Sequence, residues 1–370
     1  MNKKKLRVAL IFGGRSGEHE VSLMSARSVL SVLDTARYEV LQIGITADGR
    51  WLTGDDVLGK LETGKLAGLE PAILAPDPSQ QGVYTLRDKK LEKVCDIDVF
   101  FPLLHGTFGE DGTIQGLLEM GNTAYVGAGV VGSGVGMDKG IFKDVMRANN
   151  IPSVRSILLL RSEIEKDING AMTKAETVGA YPIFTKPANL GSSVGITKCH
   201  TRSDLQEGLM EAARFDRRVL VEKGVANVRE IEVSVLGNED PRASVPGEVL
   251  PSREFYSYES KYIDGTSGLV IPASLPEQTA RRIQELAVQA YKAIDAAGMA
   301  RVDFFVDKET GDIFLNELNT IPGFTKISMY PKLWGASGIA YGELVDRLID
   351  LALQRKGDRD RTSHSYRSQG

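Results

Sequence analysis

The chain has 370 residues, of which 42% are hydrophobic and 25% are charged, and its formal net charge is −4. This composition is typical of a soluble globular protein, and the length predicts two or three domains. The slightly acidic balance, without a long Lys/Arg stripe, argues against nucleic acid or an anionic membrane as a partner. Cys95 and Cys199 lack metal-ligand spacing and favour a reducing compartment.

The N-terminus is interpreted as the start of the fold rather than as a targeting signal. It reads MNKKKLRVALIFGG, with a short apolar run before the glycine pair and no cleavage-site pattern. No run of the chain approaches the ~20 apolar residues that would span a bilayer. A cytoplasmic location is therefore expected.

The first predicted elements are a strand over 6–12, the turn GGRSGEHE and a helix. This order opens a ligand crevice at the carboxyl end of the strand. The spacing G-G-x-x-G differs from the dinucleotide fingerprint, and no acid ends the next strand (39–45), which argues against NAD binding. Glu18 and Glu20 flank His19 here. One of them could orient a substrate, or both could simply favour the first helical turn.

A second Gly-rich loop follows the strand predicted over 98–104. Its sequence is HGTFGEDGTIQG, and the His-Gly pair comes directly after the strand. Glycines let the backbone approach a ligand closely, so His105 is a candidate functional residue. A structural role for this histidine is the alternative.

The middle of the chain, beyond a domain boundary placed near residue 125, contains a candidate phosphate site. A strand over 181–186 ends at Lys186 and leads into PANLGSSVG. A lysine followed by a loop of backbone N–H groups and hydroxyls suits a triphosphate, although the Walker sequence is absent. Strands at 219–223 and 230–236 could sandwich a purine ring.

A long irregular segment over 247–273 contains the aromatic sequence EFYSYESKY. Such segments inside a compact domain are usually lids or binding loops, so a lid is predicted, with a packed surface loop as the alternative. The pattern at 274–277 then predicts a capping box that begins an amphipathic helix.

The hairpin RVDFFVDKETGDIFLNELN carries the candidate metal ligands. It reads as two strands joined by a Gly-containing turn, with position 306 paired to position 313. This pairing places Asp303 opposite Asn316 or Glu317, and we favour the register that gathers Asp303, Glu317 and Asn319 on one face. Such an all-oxygen set suits Mg²⁺ bound to phosphate. Solvated acids on an exposed hairpin are the alternative.

Together these motifs resemble the D-alanine–D-alanine ligases of the ATP-grasp superfamily, from position 7 to about 353. The motifs that carry the resemblance are, in chain order, GGRSGEHEVS, HGTFGEDGTIQG, KPANLGSSVG, EKGV, FYSYESKY, RVDFFV and NELNTIPGFTKISMYP. The resemblance implies an α/β ATP-grasp fold of three domains. These are a Rossmann-like substrate-binding domain (1–125), a central domain (126–222) and a C-terminal catalytic domain (223–354) with a lid near 250–270. Residues 355–370 are expected to form a disordered tail.

The resemblance also implies an enzyme that joins two D-alanine molecules through a D-alanyl phosphate for cell-wall synthesis. Its co-substrate would be ATP, used with two Mg²⁺ or Mn²⁺ ions and, in some members, a monovalent cation. A homodimer without nucleic-acid or membrane partners is expected. The nearest alternative is a ligase of the same fold that takes D-serine or D-lactate second. A nucleotide-binding oxidoreductase and a non-catalytic sensor are more distant alternatives.

Finally, the resemblance assigns roles to matching positions. The metal ligands would be Asp303, Glu317 and Asn319. The ATP contacts would be Lys139, Lys186, Ser192, Glu222, Lys223, Val225, Glu230, Tyr256 and Lys261. The D-alanine contacts would be Glu18, His105, Ser328 and Met329. The catalytic groups would be Glu18, Ser193 and Tyr262, which close the lid, and the oxyanion hole of Arg301 and the Gly323 N–H. A tyrosine at position 262 favours the dipeptide over an ester product.

Overall fold

The computed structural model describes residues 4–191, 194–225, 227–250 and 268–363. Its chain is built on three main sheets that follow one another in sequence. None of the helices in these ranges is both long enough and apolar enough to cross a membrane.

The first sheet is formed by buried N-terminal strands. Its members are β1 (Leu6–Gly13), β2 (Tyr38–Ile45), β3 (Trp51–Thr53), β4 (Glu70–Pro71) and β7 (Val99–Pro102). The order is β4-β3-β2-β1-β7, and β1 runs parallel to both β2 and β7, as the apolar runs predicted. A separate hairpin comprises β5 (Val83–Arg87) and β6 (Lys90–Cys95). The helices of this region are α1 (His19–Leu30), α2 (Val57–Thr63) and α3 (Thr113–Met120).

The second sheet is antiparallel and belongs to the middle of the chain. Its strands are β8 (Ser156–Leu160), β9 (Ile183–Pro187), β10 (Thr197–Cys199) and β11 (Arg218–Lys223), in the order β10-β9-β11-β8. The helices that precede, connect or cover them are α4 (Val130–Met137), α5 (Lys139–Ala148), α6 (Arg161–Lys166), α7 (Ile168–Ala175) and α8 (Arg202–Phe215). A short 3-10 turn spans Glu176–Val178. Although α5 precedes this sheet, Phe142 and Met146 pack into the core of the third sheet.

The third sheet is the C-terminal one. Its strands are β12 (Val228–Gly237), β13 (Arg242–Ala243), β14 (Gly247–Leu250), β15 (Gly268–Val270), β16 (Gly298–Asp307) and β17 (Ile313–Asn319). The order is β15-β14-β12-β16-β17, with β13 paired to β12. Three helices complete the region: α9 (Glu277–Ala293), α10 (Met329–Ala336) and α11 (Tyr341–Arg359). The last of them packs Leu344, Leu348 and Ile349 into the core beneath the first sheet. The three-domain limits stay a prediction.

A β-bulge sets the register of the hairpin formed by β16 and β17. The pairing Val306↔Ile313 is confirmed, and it continues to Phe304↔Leu315. The register then shifts, so that Asp303 lies opposite Glu317 and Arg301 opposite Asn319. The extra residue is Asn316, and a bulge of one residue is what moves Glu317 into line with Asp303. The favoured register is therefore confirmed.

Two local expectations were wrong. The helix α9 begins at Glu277 with Pro276, not Ser274, as its N-cap, and the proline side chain has no oxygen atom that could cap the first turn. The expected disordered tail from 355 is helical as far as Arg359. The polar composition of this segment does not reveal its packing. The guanidinium of Arg355 lies 4.2 Å from the centre of the Tyr125 ring, which ties the helix to the N-terminal region. Residues 364–370 lie outside the described part.

Candidate active site

One cavity brings together residues from all three regions of the chain. It lies where the loops after β1 and β7 meet the carboxyl end of β17 and the start of α5. Seven of the residues assigned from the sequence line it: Glu18, His105, Lys139, Arg301, Glu317, Asn319 and Gly323. Gly191, at the edge of the Gly/Ser loop, also lines the cavity.

Glu18 is placed at the cavity by the turn after β1. The Ser16 hydroxyl accepts a hydrogen bond from the Glu18 N–H at 3.0 Å and donates one to the His105 carbonyl at 2.8 Å. A Cβ atom at Gly106 would lie 2.5 Å from the Glu18 carboxylate, and one at Gly191 would lie 2.9 Å away. Gly106 also has φ of +73°, so only glycine suits this position. The glycines of both loops therefore make room for one carboxylate.

Glu110 is a second carboxyl group in this cavity, and the sequence analysis did not select it. Its oxygens accept hydrogen bonds from the Gly106 N–H at 2.8 Å and the Ile321 N–H at 3.2 Å. Burial and the neighbouring charge of Glu18 raise the pKa of Glu110 to about 8. Glu110 therefore keeps its proton at neutral pH, and Glu18 supplies the negative charge at this end of the cavity.

His105 is held by protein groups on both ring nitrogens. Its Nδ1 lies 2.9 Å from the Ile321 carbonyl, which can only accept, so Nδ1 carries the proton. Its Nε2 lies 2.9 Å from the Ser25 hydroxyl. Burial lowers the pKa of His105, which favours the neutral ring. With both nitrogens occupied, His105 fixes the loop at Ile321 as well as lining the cavity.

The loop that carries Gly323 is thus anchored to the N-terminal region. Ile321 is bound by Glu110 and His105, and the Phe324 N–H donates to the Ser25 hydroxyl at 3.3 Å. These contacts lie on either side of Gly323 and fix its backbone relative to Glu18. The N-terminal region therefore positions a backbone N–H that the C-terminal region supplies.

Arg301 lies between two carboxylates. Its Nε and Nη2 bind the Asp303 carboxylate at 2.8 and 2.7 Å, and its Nε also lies 3.0 Å from Glu232. The sheet pairing explains this set, because Glu232 on β12 is directly opposite Asp303 on β16. All three side chains are largely buried. A bidentate pair of this kind holds the planar guanidinium in one orientation.

The proposed metal ligands have the donor chemistry that Mg²⁺ requires. Asp303, Glu317 and Asn319 carry hard oxygen atoms on adjacent strands, in paired or alternate positions of one sheet face. Asn319 also donates from its amide to Asp303 at 3.2 Å. Within the described ranges no three His, Cys, Asp or Glu side chains form a metal-binding group, so the third ligand would be the Asn319 amide. The set fits a magnesium site.

A buried cluster of alternating charge lies on the central sheet. The Glu222 carboxylate is 2.5 Å from the Lys186 ammonium and 2.9 Å from that of Lys143. Although burial acts to raise it, these ammonium groups lower the pKa of Glu222 to about 2. Burial likewise opposes the charge of Lys186, but Glu222 raises its pKa. Both of these predicted nucleotide residues are therefore charged and paired.

Lys139 joins the helix α5 to the Gly/Ser loop. Its ammonium donates to the Leu190 carbonyl at 2.7 Å, and its own N–H donates to the Ala188 carbonyl at 3.0 Å. Asp138 caps the helix by accepting from the Ile141 N–H and also accepts from the Asn189 amide at 2.8 Å. The start of this helix is therefore fixed to the loop that follows Lys186.

The other assigned residues do not line the cavity or lie outside the described part. Lys223 is the last residue of β11, Val225 comes two positions later, and Glu230 lies on β12. Ser328 is the N-cap of α10, and its hydroxyl lies 2.7 Å from that of Thr325. Met329 is buried with Leu333, and neither it nor Ser328 lines the cavity. The described residues do not include Ser192, Ser193, Tyr256, Lys261 and Tyr262.

Three functional candidates were missed, and two of them had a sequence signal. Lys143 follows Lys139 by four positions, which places the two on one face of α5. Glu232 follows Glu230 by two positions and shares its face of β12. Glu110 lies within HGTFGEDG, a Gly-rich loop in which nothing in the spacing marks this acid as buried.

Comparison with known proteins agrees with the motifs. Two family descriptions match: "D-ala D-ala ligase N-terminus" over residues 7–128 and "D-ala D-ala ligase C-terminus" over residues 145–350. A D-alanine–D-alanine ligase of Thermoanaerobacter sp. is 50% identical over 364 residues, which cover 98% of this chain and 99% of that protein.

Solved structures show the same relationship. The D-alanine–D-alanine ligase of Coxiella burnetii superposes with a TM-score of 0.84 at 36% identity, over 97% of each chain. The VanG D-Ala:D-Ser ligase of Enterococcus faecalis also gives 0.84, at 33% identity, over 94% of this chain and 100% of that one.

The fold and its neighbours define the protein as an α/β enzyme of the ATP-grasp class. Within that class, the chain belongs to the D-alanine–D-alanine ligase family. The resemblance seen in the sequence motifs is confirmed.

Proposed function

We propose that this protein joins two D-alanine molecules to D-alanyl-D-alanine, with conversion of ATP to ADP and phosphate. The observation that carries the proposal is the shared cavity of Glu18, Arg301, Glu317, Asn319 and Gly323. A carboxylate for an ammonium group, a cation for an oxyanion and hard oxygen ligands for a metal–phosphate group all line one space. Relatives named as D-alanine–D-alanine ligases, at 45–50% identity over nearly the whole chain, support the same reaction.

In the first step, a carboxylate oxygen of the first D-alanine attacks the γ-phosphorus of ATP, and ADP leaves. The product is an acyl phosphate, in which a poor electrophile has become a reactive one. Glu18 binds the ammonium group of this D-alanine at the negative end of the cavity. Lys139 and Lys186 bind the phosphate oxygens and neutralise charge on the transferring group. Lys186 leaves its partner Glu222 to do so.

In the second step, the neutral amine of the second D-alanine attacks the acyl carbon, phosphate leaves, and the amine proton passes to the released phosphate or to solvent. The tetrahedral oxyanion receives hydrogen bonds from Arg301 and from the Gly323 N–H. Asp303 and Glu232 hold the guanidinium in place, and Glu110 and His105 hold the Gly323 loop. Donors that are fixed before the reaction need no reorganisation during it. Ser328 and Met329 are proposed to contact the second substrate.

Asp303, Glu317 and Asn319 would hold two Mg²⁺ or Mn²⁺ ions, which neutralise phosphate charge when bound. The proposal also includes a cytoplasmic location and a homodimer, as expected for the family. The lid predicted around Tyr256, Lys261 and Tyr262, with Ser193 as its partner and Ser192 on the nucleotide, stays a prediction.

Phosphate release from ATP tests the proposed reaction. We expect release with D-alanine and a background rate with L-alanine or without an amino acid. The peptide product should appear in equal amount to phosphate. Release that is indifferent to D-alanine would contradict the proposal. D-Serine and D-lactate as competing second substrates would show whether the acceptor pocket is strict, because the relative VanG is named as a D-Ala:D-Ser ligase.

A further inference from the structure

Lys143 is the most deeply buried lysine of the active-site region, and the mechanism above does not use it. Its side chain is 3% exposed, compared with 12% for Lys186. Its ammonium lies 2.9 Å from one oxygen of Glu222 and 3.4 Å from the Leu315 carbonyl on β17. A lysine is rarely buried in this way unless its charge is needed.

The geometry of Glu222 shows what that charge does. One carboxylate oxygen binds Lys143 and the other binds Lys186. The carboxylate is only 5% exposed, so it depends on these ammonium groups for compensation. If Lys186 turns towards a phosphate oxygen, Glu222 loses one of its two partners. An unpaired buried carboxylate is strongly unfavourable, and a second partner that stays in place removes most of that cost.

The surroundings of Lys143 hold its side chain in place. It extends from the middle of α5, is itself buried like Phe142 and Met146 of the same helix, and donates a hydrogen bond to the backbone of β17. Lys186, in contrast, lies at the end of β9 where the Gly/Ser loop begins. The two lysines therefore differ in their freedom to leave Glu222.

We propose that Lys143 is a positioning residue that remains paired with Glu222 and so frees Lys186 to bind the nucleotide phosphates. Lys143 itself does not touch the nucleotide. This inference rests on the proposed function, because it assumes that Lys186 binds ATP. It assigns a role in nucleotide affinity to a residue that lies behind the binding surface.

A double-mutant cycle on ADP binding tests this role. In Lys143→Met, Lys186 is the only partner of Glu222, so the Kd for ADP should rise about tenfold or more, which corresponds to ~1.4 kcal/mol or more. In the Glu222→Gln background the same change should alter Kd by less than about twofold, because no carboxylate then holds Lys186. Titration calorimetry measures all four proteins, and the KM for D-alanine of Lys143→Met should change less than its KM for ATP.

The controls separate this role from general effects. Lys143→Met removes one positive charge in either background, so a loss of affinity caused only by that missing charge would be equal with Glu222 and with Glu222→Gln. Lys174→Met makes the same chemical change at an exposed ion pair with Glu163, and it should leave Kd within about twofold. Thermal denaturation checks folding. If Lys143→Met does not fold, Lys143→Gln enters the same cycle with the same expected contrast between backgrounds.

Two results would overturn the inference. An equal rise in Kd in both backgrounds would show that Lys143 acts only through packing or general charge, while D-alanine-dependent phosphate release would leave the proposed function standing. An unmodified protein that binds no ADP and releases no phosphate would overturn both proposals.

Discussion

Two parts of the candidate active site differ in how their charges are arranged. In two buried sets, charges alternate in sign: Lys143, Glu222 and Lys186 form one set, and Glu232, Arg301 and Asp303 form the other. At the end of the cavity that Glu18 lines, two carboxyl groups lie close together, and burial and the charge of Glu18 raise the pKa of Glu110 to about 8. The two sets are compensated internally, whereas at the other end Glu110 keeps its proton at neutral pH and Glu18 supplies the negative charge.

The difference follows from what each end has to bind. A nucleotide carries several negative charges. The lysines that would bind it must therefore be held in position by a carboxylate and must also be able to leave that carboxylate. An amino acid brings an ammonium group, which carboxyl groups can attract directly. Under the proposed function, the preformed pairs would have to rearrange when a nucleotide binds, whereas the Glu18 carboxylate would capture an ammonium group directly. Variants at the two ends should accordingly change different kinetic constants.

The largest effect is expected at the hairpin. In Glu317→Gln, one charged candidate metal ligand becomes neutral, and turnover should fall by about 10³-fold with the fold intact. Phosphate release and circular dichroism measure the two quantities. Glu309→Gln, at the exposed turn of the same hairpin, is the matched control and should keep full activity. Full activity of Glu317→Gln at ordinary magnesium would show that the hairpin is not the metal site.

Arg301 should show the next largest effect. Arg301→Lys keeps the charge but cannot bind Asp303 through two N–H groups while it contacts Glu232. A displaced oxyanion donor should lower kcat by about 10²-fold, with smaller changes in both KM values. Steady-state kinetics with each substrate varied in turn measure kcat and both KM values of the variant and of the unmodified protein. A variant that alters only the KM for ATP would place Arg301 in binding instead of in the second chemical step.

Glu18 should change affinity for D-alanine. In Glu18→Gln, the charge-assisted hydrogen bond to the ammonium group is lost, and the KM for the first D-alanine should rise about tenfold or more. The KM for ATP should stay nearly constant. Glu20→Gln alters the exposed acid two positions further on and is the matched control. Equal effects of the two changes would mean that neither acid is specific for substrate.

Glu110 should affect the pH dependence of stability and not a kinetic constant. Its folded pKa of about 8 exceeds the ordinary value of 4.5, so the unfolded chain releases this proton first as pH rises. The contribution to stability is complete below pH 4.5 and is lost as pH rises towards 8. Glu110→Gln cannot titrate at this position. The Tm of the unmodified protein should therefore fall steadily relative to the Tm of the variant between pH 5 and 8. Parallel melting curves would contradict the raised pKa.

Local patterns predicted much of the fold. The buried strands at the first and second Gly-rich loops, and the pairing of 306 with 313, follow from apolar runs and turn residues. The apolar pattern around Asn316 fits either register, and only the chemistry of Asp303, Glu317 and Asn319 favoured the one that the bulge produces. Likewise, the polar end of α11 gave no sign that Arg355 and Arg359 would lie over Tyr125.

The site was harder to predict wherever a residue acts through a distant partner. Glu110 binds the backbone of Ile321, 211 positions further along the chain. Lys143 belongs to the site only because α5 places it beside Glu222 on another element. A motif reveals residues that touch ligands, but the groups that hold those residues come from the tertiary fold.

Oxygen transfer tests the central claim most directly. If D-alanine with ¹⁸O in both carboxylate positions attacks the γ-phosphorus of ATP, its carboxylate oxygen becomes the bridge of the acyl phosphate and leaves with phosphate. Mass spectrometry of the released phosphate should therefore show one ¹⁸O atom per molecule, with the other retained in the peptide. Phosphate without ¹⁸O, formed alongside peptide, would contradict an acyl phosphate in this cavity.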